Sequence, residues 1–177
     1  MVEISHKVMM DLKEKIINEA LRIEEDVDHS ARSHFVAANR WKSYHYWIGL
    51  PSALAVALAG GAFFGEATAI AIFLAALSTG LTTTLTFLKP SEKAEHHNNC
   101  GNQYLKLRNQ TRIFREIDLS NKFDEDFAVN KIKELGEIRD DLNQSSPTIR
   151  RSDYDQGKKD IDEGRSTHRI DTEENDS

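Results

Sequence analysis

The sequence predicts an all-α protein, a two-transmembrane helical hairpin carried on long cytoplasmic helices that form a bundle. Three observations lead there. Charged residues make up 29% of the 177, yet residues 47–88 hold a single one, Glu66. A soluble domain would spread its apolar residues as periodic stripes rather than collect them in one block. That block divides into two apolar runs parted only by Gly65 and Glu66, so the two must run antiparallel. The flanks, in contrast, repeat apolar residues every three or four positions, the spacing of amphipathic helices.

Residues 1–43 form the first element, a cytoplasmic amphipathic helix. Met9, Leu12, Ile16, Ala20, Ile23, Val27, Ala31 and Phe35 recur at helical spacing with no Gly or Pro among them. Lys13, Lys15, Arg22, Glu24 and Glu25 occupy the other face. A stripe this narrow on so long a helix needs a partner helix. The acidic run Glu24, Glu25, Asp26, Asp28 lacks the glycine and ligand spacing of a calcium loop and is expected to be a solvated face.

Residues 44–90 form the hairpin. Its first span, 47–64, is about 27 Å long as helix, and its second, 67–88, about 33 Å, against a bilayer core of about 30 Å. The first apolar run begins past residue 43, so no cleavable signal is expected and both spans should remain in the mature chain. Arg32, Arg40 and Lys42 precede the first span, and Lys89, Lys93, Lys106, Arg108 and Arg112 follow the second. By the positive-inside rule both termini face the cytoplasm and Glu66 faces outward. Trp41, Tyr44, Tyr46 and Trp47 would form the inner aromatic belt, with Phe63 and Phe64 near the outer surface.

Within the spans, Gly49, Ala53, Ala57 and Gly61 recur every four residues and mark a stripe where helix backbones can approach closely. Ala71, Ala75, Thr79, Thr83 and Thr86 run along one side of the second span. The plain reading of both stripes is packing inside the hairpin, with threonine hydroxyls bonded to the i−4 carbonyls. The sharper reading is oligomerisation through the small stripe, with Thr79, Thr83 and Thr86 lining a wetted path. Two helices cannot enclose a pore, so conduction requires several subunits. Pro51 removes a backbone hydrogen bond one turn into the first span and marks a kink or, less plainly, a gating hinge. Glu66 is a candidate outer mouth of an oligomer favouring cations. It also suits the N-terminus of the second span, where the helix dipole welcomes a carboxylate.

Residues 91–143 are cytoplasmic helices. Pro90 breaks the chain, and a helix over about 91–117 would bury Ala94, His97, Tyr104, Leu105, Ile113 and Ile117. It is expected to pack on the first cytoplasmic helix. Another helix over about 124–143 runs through Phe127, Lys131, Leu135, Ile138 and Leu142. In 144–177, a loop at Pro147 precedes a short helix from Ser152 to Glu163 and a polar tail expected to be disordered.

Chemistry is sparse. A net charge of −6 without a basic run argues against nucleic acid. Cys100 alone excludes a disulfide framework. His96, His97 and Cys100 fall short of a zinc site for lack of further ligands. No phosphate loop, nucleophile elbow or dinucleotide fingerprint is present. No catalytic residue, cofactor or metal is therefore expected.

In its layout the chain resembles the SLATT family of two-transmembrane effector domains of bacterial conflict systems. The likeness covers roughly residues 10–115. It is carried by Arg40 and Trp41, Gly49 and Pro51, Gly60 and Gly61, Pro90, and then Ala94, His97, Gly101, Tyr104 and Leu107. What the resemblance implies is a non-enzymatic effector of the bacterial inner membrane. It would assemble into a homo-oligomer and permeabilise the bilayer when a cytoplasmic sensor or activator protein signals. The alternatives are a membrane-anchored scaffold recruiting a cytoplasmic partner and a small housekeeping channel subunit.

Overall fold

The computed structural model describes residues 2–65, 67–120 and 124–164, with side chains from Met9 onward. The described residues are all-α. Helix α1 runs unbroken from Val2 to Phe64, α2 spans Thr68–Leu88, α3 spans Pro90–Ile113, α4 spans Glu125–Ser145 and α5 spans Arg151–Asp162. Glu66 and the tail from 165 lie outside the described residues.

Two compact units divide the chain, and α1 and α3 contribute to both. One comprises the residues up to Val36 and from His97 onward; the other is Ala37–His96. In the first unit, α1, α3 and α4 bury a single core. Ile16, Ile23, Val27 and Ala31 of α1 meet Tyr104, Leu107 and Phe114, and then Ala128, Leu135 and Leu142 of α4. The apolar stripe of α1 therefore has the partner helices its narrowness called for.

Three details depart from the periodicity. The α3 core face is Cys100, Tyr104, Leu107, Thr111 and Phe114, whereas Ile113 and Ile117 are about half exposed. Ile113 precedes Phe114 of that face by one residue, about 100° around the helix, and a π-helical turn at Phe114–Asp118 then carries Ile117 off the buried side and brings Leu119 onto it. Phe127 is likewise exposed, touching the core only edge-on through Phe114 at 6.4 Å. The acidic run of α1 is a solvated face only at Glu25 and Asp26. Glu24 takes a two-pronged hydrogen bond from Arg115 at 2.7 and 3.2 Å, and Asp28 pairs with Arg108 at 3.2 Å. Carboxylate and guanidinium share a fork geometry that favours such half-buried pairs. The bond from Glu24 raises the Arg115 guanidinium above its ordinary value.

The α5 helix is seated by a glycine. A Cβ on Gly157 would lie 2.8 Å from the Ser33 backbone nitrogen, so only glycine permits this approach of α5 to α1. Tyr154 stacks on His29 at 6.1 Å beside that contact.

Candidate membrane-spanning hairpin

The second unit contains the apolar segments. Among the described residues, two helices are long and apolar enough to cross a membrane, and only 11% of the most apolar stretch of each is buried. A core helix of a soluble protein would be mostly buried. Here Trp47, Leu50, Leu54, Leu58, Phe73 and Phe87 stand exposed.

The seam between the spans follows alternating steps of three and four. On α1 it consists of Ile48, Ser52, Ala55, Ala59 and Ala62; on α2 it consists of Ala71, Leu74, Ser78, Leu81, Leu85 and Leu88. Steps averaging 3.5 residues drift only about 10° per step around a helix of 100° per residue, so the contact holds along the length. A hydroxyl cluster sits at mid-seam. Ser52 Oγ donates to the Ser78 carbonyl at 3.2 Å, Ser78 Oγ donates to the Ser52 carbonyl at 3.0 Å, and Thr82 Oγ1 lies 2.8 Å from Ser52 Oγ. Both serines are buried, and small side chains let the backbones come close enough to exchange these bonds.

The two stripes singled out by their four-residue spacing do not lie in this seam. A strict step of four advances 400°, so each successive residue turns about 40° away from the contact. Gly49 starts the first stripe half-buried, with Leu85 Cδ1 3.6 Å from where its Cβ would be, while Ala53, Ala57 and Gly61 are exposed. Ala71 starts the second stripe buried, and Ala75, Thr79 and Thr83 emerge in the same way. Packing within the hairpin thus accounts for Gly49 and Ala71 but not for the residues after them. On the threonine side of α2, Val56 of α1 lines a groove of about 590 Å³ together with Ser78, Thr79, Thr82, Thr83, Thr86 and Phe87 of α2. Three of those threonines return their hydroxyls to the backbone. Thr79, Thr83 and Thr86 donate to the carbonyls of Ala75, Thr79 and Thr82 at 2.7–3.0 Å. The groove wall therefore presents methyls and oxygen lone pairs.

Pro51 lies inside α1 with helix assigned on both sides of it. At the other end of the hairpin, α2 closes on Lys89, the only described residue other than glycine with positive φ, at 47°. Its amide still bonds the Leu85 carbonyl at 2.9 Å, and Pro90 then opens α3. Trp41, Tyr44 and Tyr46 cluster with basic residues ahead of the first span. The Arg40 guanidinium carbon lies 5.2 Å from the Trp41 ring, and the Lys93 ammonium lies 4.5 Å from it.

In the first unit, sequence reasoning missed one arrangement. His34 and His97, both buried, bring their Nδ1 atoms to 2.9 Å, and His34 stacks on Tyr104 at 5.5 Å. A hydrogen bond of that length takes one imidazole as donor and the other as acceptor. The partners are 63 residues apart, so local spacing gave no sign of it. Of the α3 residues on which the resemblance rests, His97, Gly101, Tyr104 and Leu107 lie on its buried face, and Ala94 is half-buried. Gly101 leaves room for the Phe35 ring, which an added Cβ would meet at 2.7 Å. Among the described residues, no three of His, Cys, Asp and Glu are grouped so as to hold a metal ion.

No known protein family, curated protein or solved structure matches the chain.

Proposed function

We propose that the chain is a membrane effector that assembles through its hairpin into a homo-oligomer and permeabilises the bilayer when its first unit receives a signal. Both termini face the cytoplasm, and the membrane is the bacterial inner membrane, as the resemblance to the SLATT family implies. The groove on one side of the hairpin carries this reading. It gathers Thr79, Thr82, Thr83 and Thr86 of α2 with Val56 of α1 on one side of the hairpin, while Ala53 and Ala57 of α1 are exposed as well. A second copy can approach closely over Ala53 and Ala57, and the threonines then line the space between copies. The first unit, held rigid by its buried core, receives the cytoplasmic activator on its outside, and no enzymatic step is involved.

The test follows membrane potential and dye entry after induction in a bacterium, alone and with a candidate activator. The expected result is depolarisation by the wild type and none by a variant with Thr79, Thr83 and Thr86 changed to Leu. Equal depolarisation by both would overturn the lining. One observation favours the scaffold alternative, in which the hairpin anchors and conducts nothing. The hydroxyls of Thr79, Thr83 and Thr86 are already bonded to backbone and do not require water. A scaffold would keep its activity when an unrelated hairpin replaced residues 44–90.

A further inference from the structure

We propose that the aromatic and basic collar at the base of the hairpin, formed by Arg40, Trp41, Lys42, Tyr44 and Lys93, is a docking surface for the anionic headgroups of membrane phospholipids; this rests on the membrane reading above. The collar is built across two helices. Trp41 of α1 stands edge-to-face with Tyr44 at 5.6 Å. The Arg40 guanidinium carbon lies 5.2 Å from the Trp41 ring centroid and 5.7 Å from that of Tyr44. From α3, Lys93 brings its ammonium to 4.5 Å of the same Trp41 ring. His45 Nδ1 and Ser91 Oγ, 3.0 Å apart, tie the first turn of α3 to α1 at this level. Two cations are thereby held against one ring, where the π face fixes their positions without neutralising them.

The local charge balance is positive. Residues 37–46 contain Arg40 and Lys42 and no acid, while in 89–96 two lysines face two glutamates. Of those glutamates, Glu92 is engaged by Lys89, whose Nζ donates to both carboxylate oxygens at 2.9 and 3.0 Å. Four basic residues against two acids leave these two segments with a net charge of +2.

The occupant is a lipid because of what borders the charges. Immediately beyond the collar, α1 exposes Trp47 at 79% and α2 exposes Phe87 at 87%. A free anion would match the cations alone, and an acidic peptide would leave the apolar flank uncovered. A phospholipid carries its charge at one end of an apolar body and fits both parts. Basic residues at a membrane surface each strengthen attraction to anionic lipid about fivefold.

The experiment uses the full chain in vesicles of phosphatidylcholine and phosphatidylglycerol, with one lipid or the other brominated on its acyl chains. The chain has two tryptophans, so Trp47→Phe leaves Trp41 as the only emitter and Trp41→Phe leaves Trp47. Brominated phosphatidylglycerol should quench Trp41 as though bound at least about fivefold more tightly than phosphatidylcholine. That preference should fall toward one in about 1 M salt, where the Debye length is about 3 Å, and in the Lys42→Ala, Lys93→Ala variant. Equal quenching of Trp41 by the two lipids, with Trp47 still quenched, overturns the collar proposal and leaves the membrane reading standing. Absence of Trp47 quenching by either lipid overturns both.

Discussion

Replacing Gly157 by alanine should loosen α5 from the bundle, although the same change elsewhere should strengthen the fold. In a helix interior Gly→Ala gains about 1 kcal/mol from propensity alone. Gly136 of α4 offers the control, since an added Cβ there meets nothing within 4 Å. Gly136→Ala should therefore stabilise by about 1 kcal/mol. At Gly157 the new Cβ would sit 2.8 Å from the Ser33 nitrogen and 3.1 Å from the Arg32 carbonyl carbon and the Ser33 Cα. These are backbone atoms of a long helix and cannot turn aside, so α5 must retreat by about half an ångström to reach ordinary contact. Overpacking of this kind costs about 2 kcal/mol. After the propensity gain, a net loss of about 1 kcal/mol remains, and it falls on the seating of α5, where Asp153 is buried and Tyr154 stacks on His29. Native-state hydrogen exchange of the α5 amides reads this directly. They should exchange about fivefold faster in Gly157→Ala, with exchange in Gly136→Ala unchanged or slower. Wild-type protection of α5 in Gly157→Ala would refute the claim that its backbone rests on Ser33.

Other expectations follow from the same contacts. Ser78→Ala removes one donated bond of the mid-seam exchange and weakens its partner, which in a membrane should cost about 1 kcal/mol; steric trapping of the hairpin in bicelles would measure it, and no change would show the serines to be dispensable. Arg115→Met should destabilise the first unit by about 2 kcal/mol by leaving the half-buried Glu24 carboxylate without its two-pronged partner. Double substitution with Glu24→Gln should recover part of that loss in thermal unfolding. Tyr104 donates to Asn143 Oδ1 at 2.9 Å, and burial pushes its phenol above the ordinary value. A pKa raised in the folded state contributes stability that is fully present below the unfolded value, about 10, and is lost as pH rises through the folded one. Tyr104→Phe should cost about 1 kcal/mol at neutral pH and flatten the decline in stability above pH of about 10. An unchanged alkaline decline would place its origin elsewhere.

Much of the fold was legible because its signals are local. The positions of α2, α4 and α5 and the α1 stripe from Ile16 to Ala31 follow from apolar spacing and from the breaks at Gly65, Pro90 and Pro147. The candidate stripes were legible as patterns but not as contacts. Gly49–Gly61 and Ala71–Thr83 step by four, and only the assembled hairpin reveals that its seam steps by three and four through Ser52, Ala55 and Ser78. Sequence marks small residues wherever they occur, while contact is decided by the angle at which each leaves the helix.

The sequence by itself determined that this chain is helical and that a block of two helix lengths with a single charge, Glu66, must find an apolar surrounding. Those outcomes depend on composition and on periods of a few residues, which any stretch of chain carries within itself. The tertiary structure alone decided which residues meet. It paired His34 with His97, drew Glu24 and Asp28 out of solvent onto Arg115 and Arg108, seated α5 through Gly157, and turned Ile117 outward at a π-helical turn. Each of these joins or redirects side chains according to where distant helices come to lie, and the free energy of such contacts exists only once the helices have packed.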